Sequence, residues 1–141
     1  MKDDRARLRR AKLIERVRSV EQRRAAAEAF EAEARRAKLA GISERTLRLG
    51  QVYAERSAIA DGAELRGALV LSTQLHALGL TAARQADHAR READARLADL
   101  ATADHRHRRA EEERRGLTKR LREQESYRDQ ALLRPSGTDL E

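Results

Sequence analysis

The stretch that decides the fold is Ala82-Ala83-Arg84-Gln85-Ala86-Asp87-His88-Ala89-Arg90-Arg91-Glu92-Ala93. Its alanines at 82, 86, 89 and 93 alternate four- and three-residue steps, the spacing of buried positions in a coiled coil. Small or apolar residues continue this spacing on both sides: Ala68, Ser72, Leu75, Gly79, Leu100, Ala103, Ala110, Leu117 and Leu121. Arg96, His107 and Arg114 interrupt it. The pattern predicts one long helix with a narrow seam of mostly small side chains.

A second long helix is predicted upstream of this one. Proline is absent before Pro135, and turn-like residues cluster only at 57–62. Asp61 and Glu64 resemble a capping box that starts a helix. We expect a helix from about 4 to 56, a turn at about 57–62, a helix from about 62 to 133 and a flexible tail at 135–141. Residues 1–134 would then form one all-α domain, a long antiparallel two-helix coiled-coil hairpin.

The predicted seam of the first helix has two parts, displaced from each other by one residue. They contain Leu13, Val17, Val20, Ala27 and Ala34, then Leu39, Ile42, Thr46, Leu49 and Tyr53. Drift of an unsupercoiled helix against a seven-residue repeat would produce this displacement. A straight-helix dimer would bury the same seams, so the pattern leaves open whether one chain folds back or two chains pair.

A turn centred near residue 61 would pair residues whose numbers sum to about 122. This register places the alanine-rich residues 25–37 opposite 82–95, so small side chains meet small ones. It also places Gly41 beside Gly79, as tolerated helix defects or as a point of close contact. Asp4 would pair with about Thr118, which leaves the second helix overhanging by about four turns.

Composition favours an elongated coiled coil over a globular domain. Charged residues make up 39% of the chain and aromatic residues 2%, and the 40% hydrophobic share is mainly alanine, which buries little area. We therefore expect marginal stability without a partner. The absence of cysteine, of a secretory signal and of any membrane-spanning stretch predicts a cytoplasmic protein that reaches a membrane only through partners.

The sequence contains none of the common catalytic or cofactor motifs. There is no glycine-rich phosphate loop, no G-x-S-x-G, no H-E-x-x-H and no calcium-binding loop. His105 and His107 would point to different sides of a helix, which argues against a metal site. Glu111, Glu112 and Glu113 are typical of a solvated helix face. We expect a non-enzymatic protein without cofactor, metal or small-molecule substrate.

Positive charge is concentrated at the open end of the predicted hairpin. Residues 1–24 hold ten Lys or Arg against four acidic residues, and residues 105–128 hold nine against five. Such a field favours an acidic protein surface or nucleic acid, unless the charges only form weak pairs on a solvated surface. Nucleic acid is the weaker alternative, because Phe30, Tyr53 and Tyr127 are too far apart in sequence to form a stacking platform.

Near the closed end, the sequence supplies more large apolar residues than one seam can bury. Helical angles place Leu69, Val70 and Leu80 away from the seam of the second helix, while Leu47 and Val52 flank the seam of the first. Exposed apolar residues of this kind mark a contact site, local repacking or a third packed element. We predict a contact site for another protein.

The chain resembles the flagellar FliJ family, small cytoplasmic proteins of the bacterial type III export apparatus, and its relatives in virulence secretion systems. The resemblance covers nearly the whole length. It rests on Leu8-x4-Leu13-x3-Val17-x2-Val20-Glu21-Gln22, on a first helix closing near Tyr53, on the mid-chain turn and on the charged residues 110–121.

The resemblance implies a stalk or escort component that couples a hexameric export ATPase ring to the export gate, in the cytoplasm and recruited to the inner face of the cell membrane. Basic residues at the open end would face the ring: Arg9, Arg16, Arg23, Arg24, Arg106, Arg108, Arg109 and Arg120. The apolar residues near the closed end would contact the gate. The resemblance does not separate flagellar from virulence systems. A generic coiled-coil scaffold or chaperone with unrelated partners is the alternative.

Overall fold

The computed structural model describes residues 2–57 and 62–134 of the chain. They form two helices, α1 (Lys2–Ser57) and α2 (Gly62–Leu133), which pack against each other, and the described part contains no strand. The expected fold class, an all-α antiparallel two-helix hairpin, is confirmed. The expected turn residues 58–61, which include the capping residue Asp61, and the expected tail 135–141 lie outside the described residues.

Local sequence explains why both helices run so far without a break. Ala, Leu, Arg and Glu dominate both helices and favour this conformation. Asp3 and Asp4 lie in the first turn of α1 and Arg56 in its last turn, where their charges complement the helix dipole. Thr46, Thr73 and Thr81 each donate a hydrogen bond to the carbonyl four residues earlier, so their hydroxyl groups are satisfied within the helix.

The chain divides into two compact units, and both helices contribute to each. Unit 1 comprises residues 1–24 and 101–141, and unit 2 comprises residues 25–100. Within each unit, contacts between the helices run antiparallel. Glu15 contacts Arg114 and Gln22 contacts Asp104 in unit 1, so partner numbers fall as residue numbers rise.

Unit 2 is held together by small side chains. Ala29, Ala32, Ala89 and Ala93 are buried, and Ala93 is only 1% exposed. Among the buried or half-buried residues of α1, the following have regular heptad spacing: Ala25, Ala29, Ala32, Arg36, Leu39, Ser43, Thr46, Gly50 and Tyr53. In α2 the residues at this spacing are Ala68, Ser72, Leu75, Gly79, Ala82, Ala86, Ala89, Ala93, Arg96 and Leu100. The predicted seam of α2 is therefore confirmed in this unit.

The seam predicted for α1 in unit 2 is partly wrong. Leu39, Thr46 and Tyr53 lie in the seam as expected, but Ile42, Leu49, Ala27 and Ala34 are exposed. Ser43 and Gly50 occupy the positions beside Ile42 and Leu49, because their small size lets α2 approach closely. Gly50 illustrates this, since a Cβ placed on it would lie 3.6 Å from the Leu75 Cβ.

In unit 1 the predicted seam of α2 is again confirmed, whereas the predicted seam of α1 is wrong. Leu13, Val17 and Val20 are exposed, and the seam of α1 consists instead of Asp4, Leu8, Ala11, Glu15, Arg18 and Gln22. The opposing α2 residues are Ala103, His107, Ala110, Arg114, Leu117 and Leu121. Polar seam residues are satisfied across the helices: Gln22 donates to Asp104 at 2.7 Å and Arg114 donates to Glu15 at 2.7 Å.

The register also differs from the predicted one. Gly79 lies against Leu47 rather than beside Gly41, and apart from the local backbone of α1 no atom lies within 4 Å of a Cβ built on Gly41. Glu15 pairs with Arg114, seven residues beyond the partner expected from a sum of 122. Arg5 lies 3.8 Å from Glu125, so the described part of α2 extends past this pair by about two turns, not four. The Leu47 side chain needs a glycine opposite it, which favours this register.

Candidate protein-binding surfaces

The first candidate surface lies on α1 in unit 1, on the side turned away from α2. It comprises Arg9, Leu13, Arg16, Val17, Val20 and Arg23, which we call the α1 outer face. Leu13 and Val20 are 59% and 63% exposed, and the three arginines are exposed as well. Leu13 and the seam residue Glu15 are two residues apart and therefore point to nearly opposite sides, about 200° around the helix.

A shallow groove between α1 and α2 is the second basic feature of unit 1. Its volume is about 560 Å³, and it is lined by Arg7, Arg10, Ala11, Ile14, Glu112, Glu113, Gly116, Leu117 and Arg120. Ile14 and Leu117 contribute apolar side chains to it, and Arg7, Arg10 and Arg120 contribute guanidinium groups beside the carboxylates of Glu112 and Glu113. Gly116 leaves space open here, because a Cβ built on it would meet no atom within 4 Å. Arg120 was predicted as a partner-binding residue, whereas Arg7 and Arg10 were not.

The remaining basic residues predicted for partner binding also lie in unit 1. Arg24, Arg106, Arg108 and Arg109 are exposed. Arg108 pairs with Asp104 on the same helix at 2.6 Å, so part of its charge is neutralised. The structure therefore places all eight predicted arginines in one unit, distributed over several sides of its two helices.

In the seam of unit 1, the ion pair between Glu15 and Arg114 changes the pKa of Glu15. The hydrogen bond from Arg114 lowers the pKa of Glu15, and the nearby charges of Arg114, His107 and Arg115 act in the same direction against the opposing effect of burial. The side chains of both partners are about one-quarter exposed. Glu15 is thus held as a carboxylate, which suits a structural ion pair rather than proton transfer.

The apolar residues predicted near the closed end do not form one cluster. Leu47 is half-buried and packs against Gly79, where a Cβ would lie 2.6 Å from Leu47 Cδ2. The others are exposed in unit 2: Val52, Leu69, Val70 and Leu80. Leu69 and Val70 are adjacent in sequence and so point about 100° apart around α2. Leu47 is therefore mainly a packing residue.

A different set of aliphatic residues in unit 2 does share one side of the helix pair. Ile42, Leu49, Leu71 and Leu78 each immediately precede a seam residue, and all four are exposed. In an antiparallel pair these positions of the two helices adjoin. The Arg35–Glu92 pair shows this at equivalent positions, with 3.4 Å between Arg35 Nη1 and Glu92 Oε1. We call these four residues the unit 2 aliphatic row.

Sequence reasoning missed the α1 outer face and the unit 2 aliphatic row for the same reason. The α1 residues of both surfaces, Leu13, Val17, Val20, Ile42 and Leu49, have coiled-coil spacing and were assigned to the seam. A signal for the outer face was present, because Arg9, Arg16 and Arg23 repeat every seven residues next to Leu13 and Val20.

Among residues 2–57 and 62–134, no group of three or more His, Cys, Asp or Glu side chains is arranged to hold a metal ion. Neither helix, over its described length, has an apolar segment sufficient to cross a membrane.

Comparison of the chain with protein-family models, with curated proteins and with solved structures finds no match. The resemblance to the FliJ family therefore remains a prediction that rests on the sequence features quoted above.

Proposed function

We propose that the chain is a non-enzymatic adaptor that binds other proteins through two surfaces of different chemistry. The observation that carries this proposal is the unequal charge of the two units. Unit 1 holds twenty Lys or Arg against thirteen Asp or Glu and so carries the whole net charge of +7, while unit 2 holds eleven of each. A basic surface selects an acidic partner, whereas a neutral surface with exposed aliphatic side chains suits a less polar one.

Within this class, the resemblance to the FliJ family favours a stalk or escort component of a type III export ATPase complex, of a flagellum or a virulence system. The exposed arginines of unit 1 would contact the hexameric ATPase ring, and the exposed aliphatic residues of unit 2 would contact the export gate. A pair of helices lacks sixfold symmetry, so it would contact the ring subunits unequally and could favour different nucleotide states among them. The protein would work in the cytoplasm, at the inner face of the cell membrane.

Copurification tests this proposal. The full chain, carrying an affinity tag, is expressed in its own cells, and the export ATPase is quantified in the purified material. We expect the ATPase to be enriched with the wild-type chain. The double variant Arg106→Glu with Arg109→Glu should reduce this enrichment at least tenfold, because charge reversal in unit 1 would repel an acidic surface. The matched control is Arg90→Glu with Arg91→Glu, two exposed arginines of unit 2.

The generic scaffold or chaperone is the competing function. It predicts that the export ATPase is never enriched and that cells lacking the protein export and swim normally. That pair of results would reject the stalk function.

A further inference from the structure

The α1 outer face combines a narrow apolar stripe with a regular row of arginines. Arg9, Arg16 and Arg23 repeat every seven residues, which spaces them by about 10.5 Å along the helix. Arg9 precedes Leu13 by four residues, and Arg16 precedes Val20 by four. Each arginine therefore lies about 40° around the helix from its apolar neighbour. The row and the stripe run side by side.

The positive charge of this row is not neutralised within the described part of the chain. Neither Arg9, Arg16 nor Arg23 forms an ion pair or side-chain hydrogen bond there. Two of the acidic residues on the same segment are engaged elsewhere: Glu15 binds Arg114 and Glu21 binds Arg18 at 2.9 Å. The face therefore presents three guanidinium groups with unused hydrogen-bond donors.

The width of the apolar stripe limits what can cover it. Leu13 and Val20 are bordered by the arginine row on one side and by Val17 on the other, and Val17 lies between Arg10 and Arg24. A helix that lies in a lipid interface presents a much wider apolar sector, about 100° or more. A stripe one or two residues wide suits the side chains of a single partner helix.

A second copy of this chain and a nucleic acid both fit the α1 outer face less well than an acidic helix does. A second copy of this face would bring together segments that each carry ten basic and four acidic residues, so the copies would repel. A phosphate backbone would satisfy the arginines but would leave Leu13, Val17 and Val20 without an apolar surface to contact. An acidic amphipathic helix satisfies both requirements, because its carboxylates can repeat every seven residues beside leucine or isoleucine.

We propose that the α1 outer face binds an acidic amphipathic helix of a partner protein. Arg9, Arg16 and Arg23 pair with carboxylates spaced one heptad apart, and Leu13, Val17 and Val20 pack against the apolar residues between them. The inference deepens the adaptor function proposed above, on which it rests, by naming the face in unit 1 and the chemistry of its partner.

The test uses the full chain and a synthetic three-heptad peptide that carries glutamate and leucine in adjacent rows, each repeating every seven residues. Binding of the labelled peptide is followed by fluorescence anisotropy, with a scrambled peptide of equal composition as the reference. We expect the scrambled peptide to bind at least tenfold more weakly. Leu13→Ser with Val20→Ser, and separately Arg9→Glu with Arg16→Glu, should each weaken binding of the designed peptide at least tenfold.

The matched control is again Arg90→Glu with Arg91→Glu, which makes the same charge change in unit 2 and should leave the peptide affinity within twofold. Helical circular dichroism at 222 nm verifies that each variant folds. If the charge-reversed variant does not fold, Arg9→Gln with Arg16→Gln replaces it. Equal loss of affinity in the control, or none in the outer-face variants, would overturn the proposal.

Three further measurements distinguish other occupants. Each measurement compares the wild type with the Leu13→Ser, Val20→Ser variant: binding to phosphatidylserine vesicles, binding to an oligonucleotide, and the oligomeric state. The proposal is also overturned if peptide binding is unchanged in this variant while vesicle binding or oligonucleotide binding is abolished, or while a dimer becomes a monomer. The proposed stalk function fails separately. If the export ATPase is not enriched but the designed peptide still binds through the outer face, the face is an acidic-helix site whose partner is a different protein.

Discussion

Arg114 donates a hydrogen bond of 2.7 Å to Glu15 across the seam of unit 1, at a position where coiled coils usually bury apolar side chains. Gln22 and Asp104 form a second polar contact in the same seam. Apolar residues of the same stretch of α1 lie on the opposite side of the helix. Unit 1 thus places polar pairs beside buried apolar residues such as Leu121 in its seam, while Leu13, Val17 and Val20 are exposed on the other side of α1.

The first prediction concerns the pH dependence of stability. The pKa of Glu15 is lowered from its ordinary 4.5, mainly by the hydrogen bond from Arg114. The pair therefore stabilises the fold fully above pH 4.5, and this contribution is lost as the pH falls through the lower folded pKa. We expect the free energy of unfolding, measured by urea titration, to fall more steeply below pH 4.5 in the wild type than in Glu15→Gln. If the free energy of unfolding of the two proteins depended on pH in the same way, the Glu15–Arg114 pair would not be the source of this stability.

The second prediction separates the observed seam of unit 1 from the one expected from the sequence. Leu121 is buried, so Leu121→Ala should lower the free energy of unfolding by about 2 kcal/mol or more. Leu13 is exposed, so Leu13→Ala should change it by less than about 0.5 kcal/mol. Chemical denaturation of both variants provides the comparison. A larger loss for Leu13→Ala would restore the seam through Leu13, Val17 and Val20.

The third prediction tests the close approach of the helices in unit 2. Ala93 is almost fully buried, and a leucine there would force the helices apart, at a cost of about 1–3 kcal/mol. Ala95 is exposed on the same helix, so Ala95→Leu should be neutral within about 0.5 kcal/mol. Thermal unfolding followed at 222 nm distinguishes them. Similar melting temperatures for the two variants would show that the alanine seam is not closely packed.

The fourth prediction uses two glycines of unit 2. Gly41→Ala meets no atom within 4 Å and should stabilise the helix by about 1 kcal/mol, the usual difference in helix propensity. Gly79→Ala gains the same propensity but must displace Leu47, whose Cδ2 and Cγ would lie 2.6 and 3.0 Å away. We expect Gly79→Ala to be less stable than Gly41→Ala in urea.

A double variant identifies the cause of that difference. Leu47→Ala removes the side chain that a Cβ at position 79 would meet. The effect of Gly79→Ala should therefore become favourable when it is measured in the Leu47→Ala background. An unchanged effect would mean that Leu47 is not the obstacle.

The sequence was sufficient to predict the all-α fold and the seam of α2, because in that helix one stripe of mostly small or apolar residues keeps coiled-coil spacing from Ala68 to Leu121. In α1 two stripes compete. Leu13, Val17 and Val20 follow the same four- and three-residue steps as Ala11, Glu15, Arg18 and Gln22. Hydrophobicity alone predicts that the apolar stripe of α1 faces α2. The polar stripe is favourable in that position only because Arg114 and Asp104 of α2 lie opposite it.

The register could not be derived from the length of the turn, for a related reason. Alanines at many positions fit one another almost equally well, whereas Leu47 requires a residue without a Cβ opposite it, which only the three-dimensional pairing reveals. The position of the seam also decides which side chains are exposed on the candidate surfaces. A shift of one residue moved Ile42 and Leu49 out of the predicted seam and onto the exposed unit 2 aliphatic row.

The alanine seam of unit 2 has a consequence for motion along the helix axis. Ala82, Ala86, Ala89 and Ala93 present nearly the same shape at each step, and an alanine side chain loses no rotameric freedom when it is buried. From the register in which Arg35 meets Glu92, sliding one helix past the other by a heptad would bring Ala25, Ala29 and Ala32 against Ala93, Ala89 and Ala86. The methyl contacts therefore hold the helices close without fixing their axial position, and the fit of Leu47 over Gly79 acts as the stop.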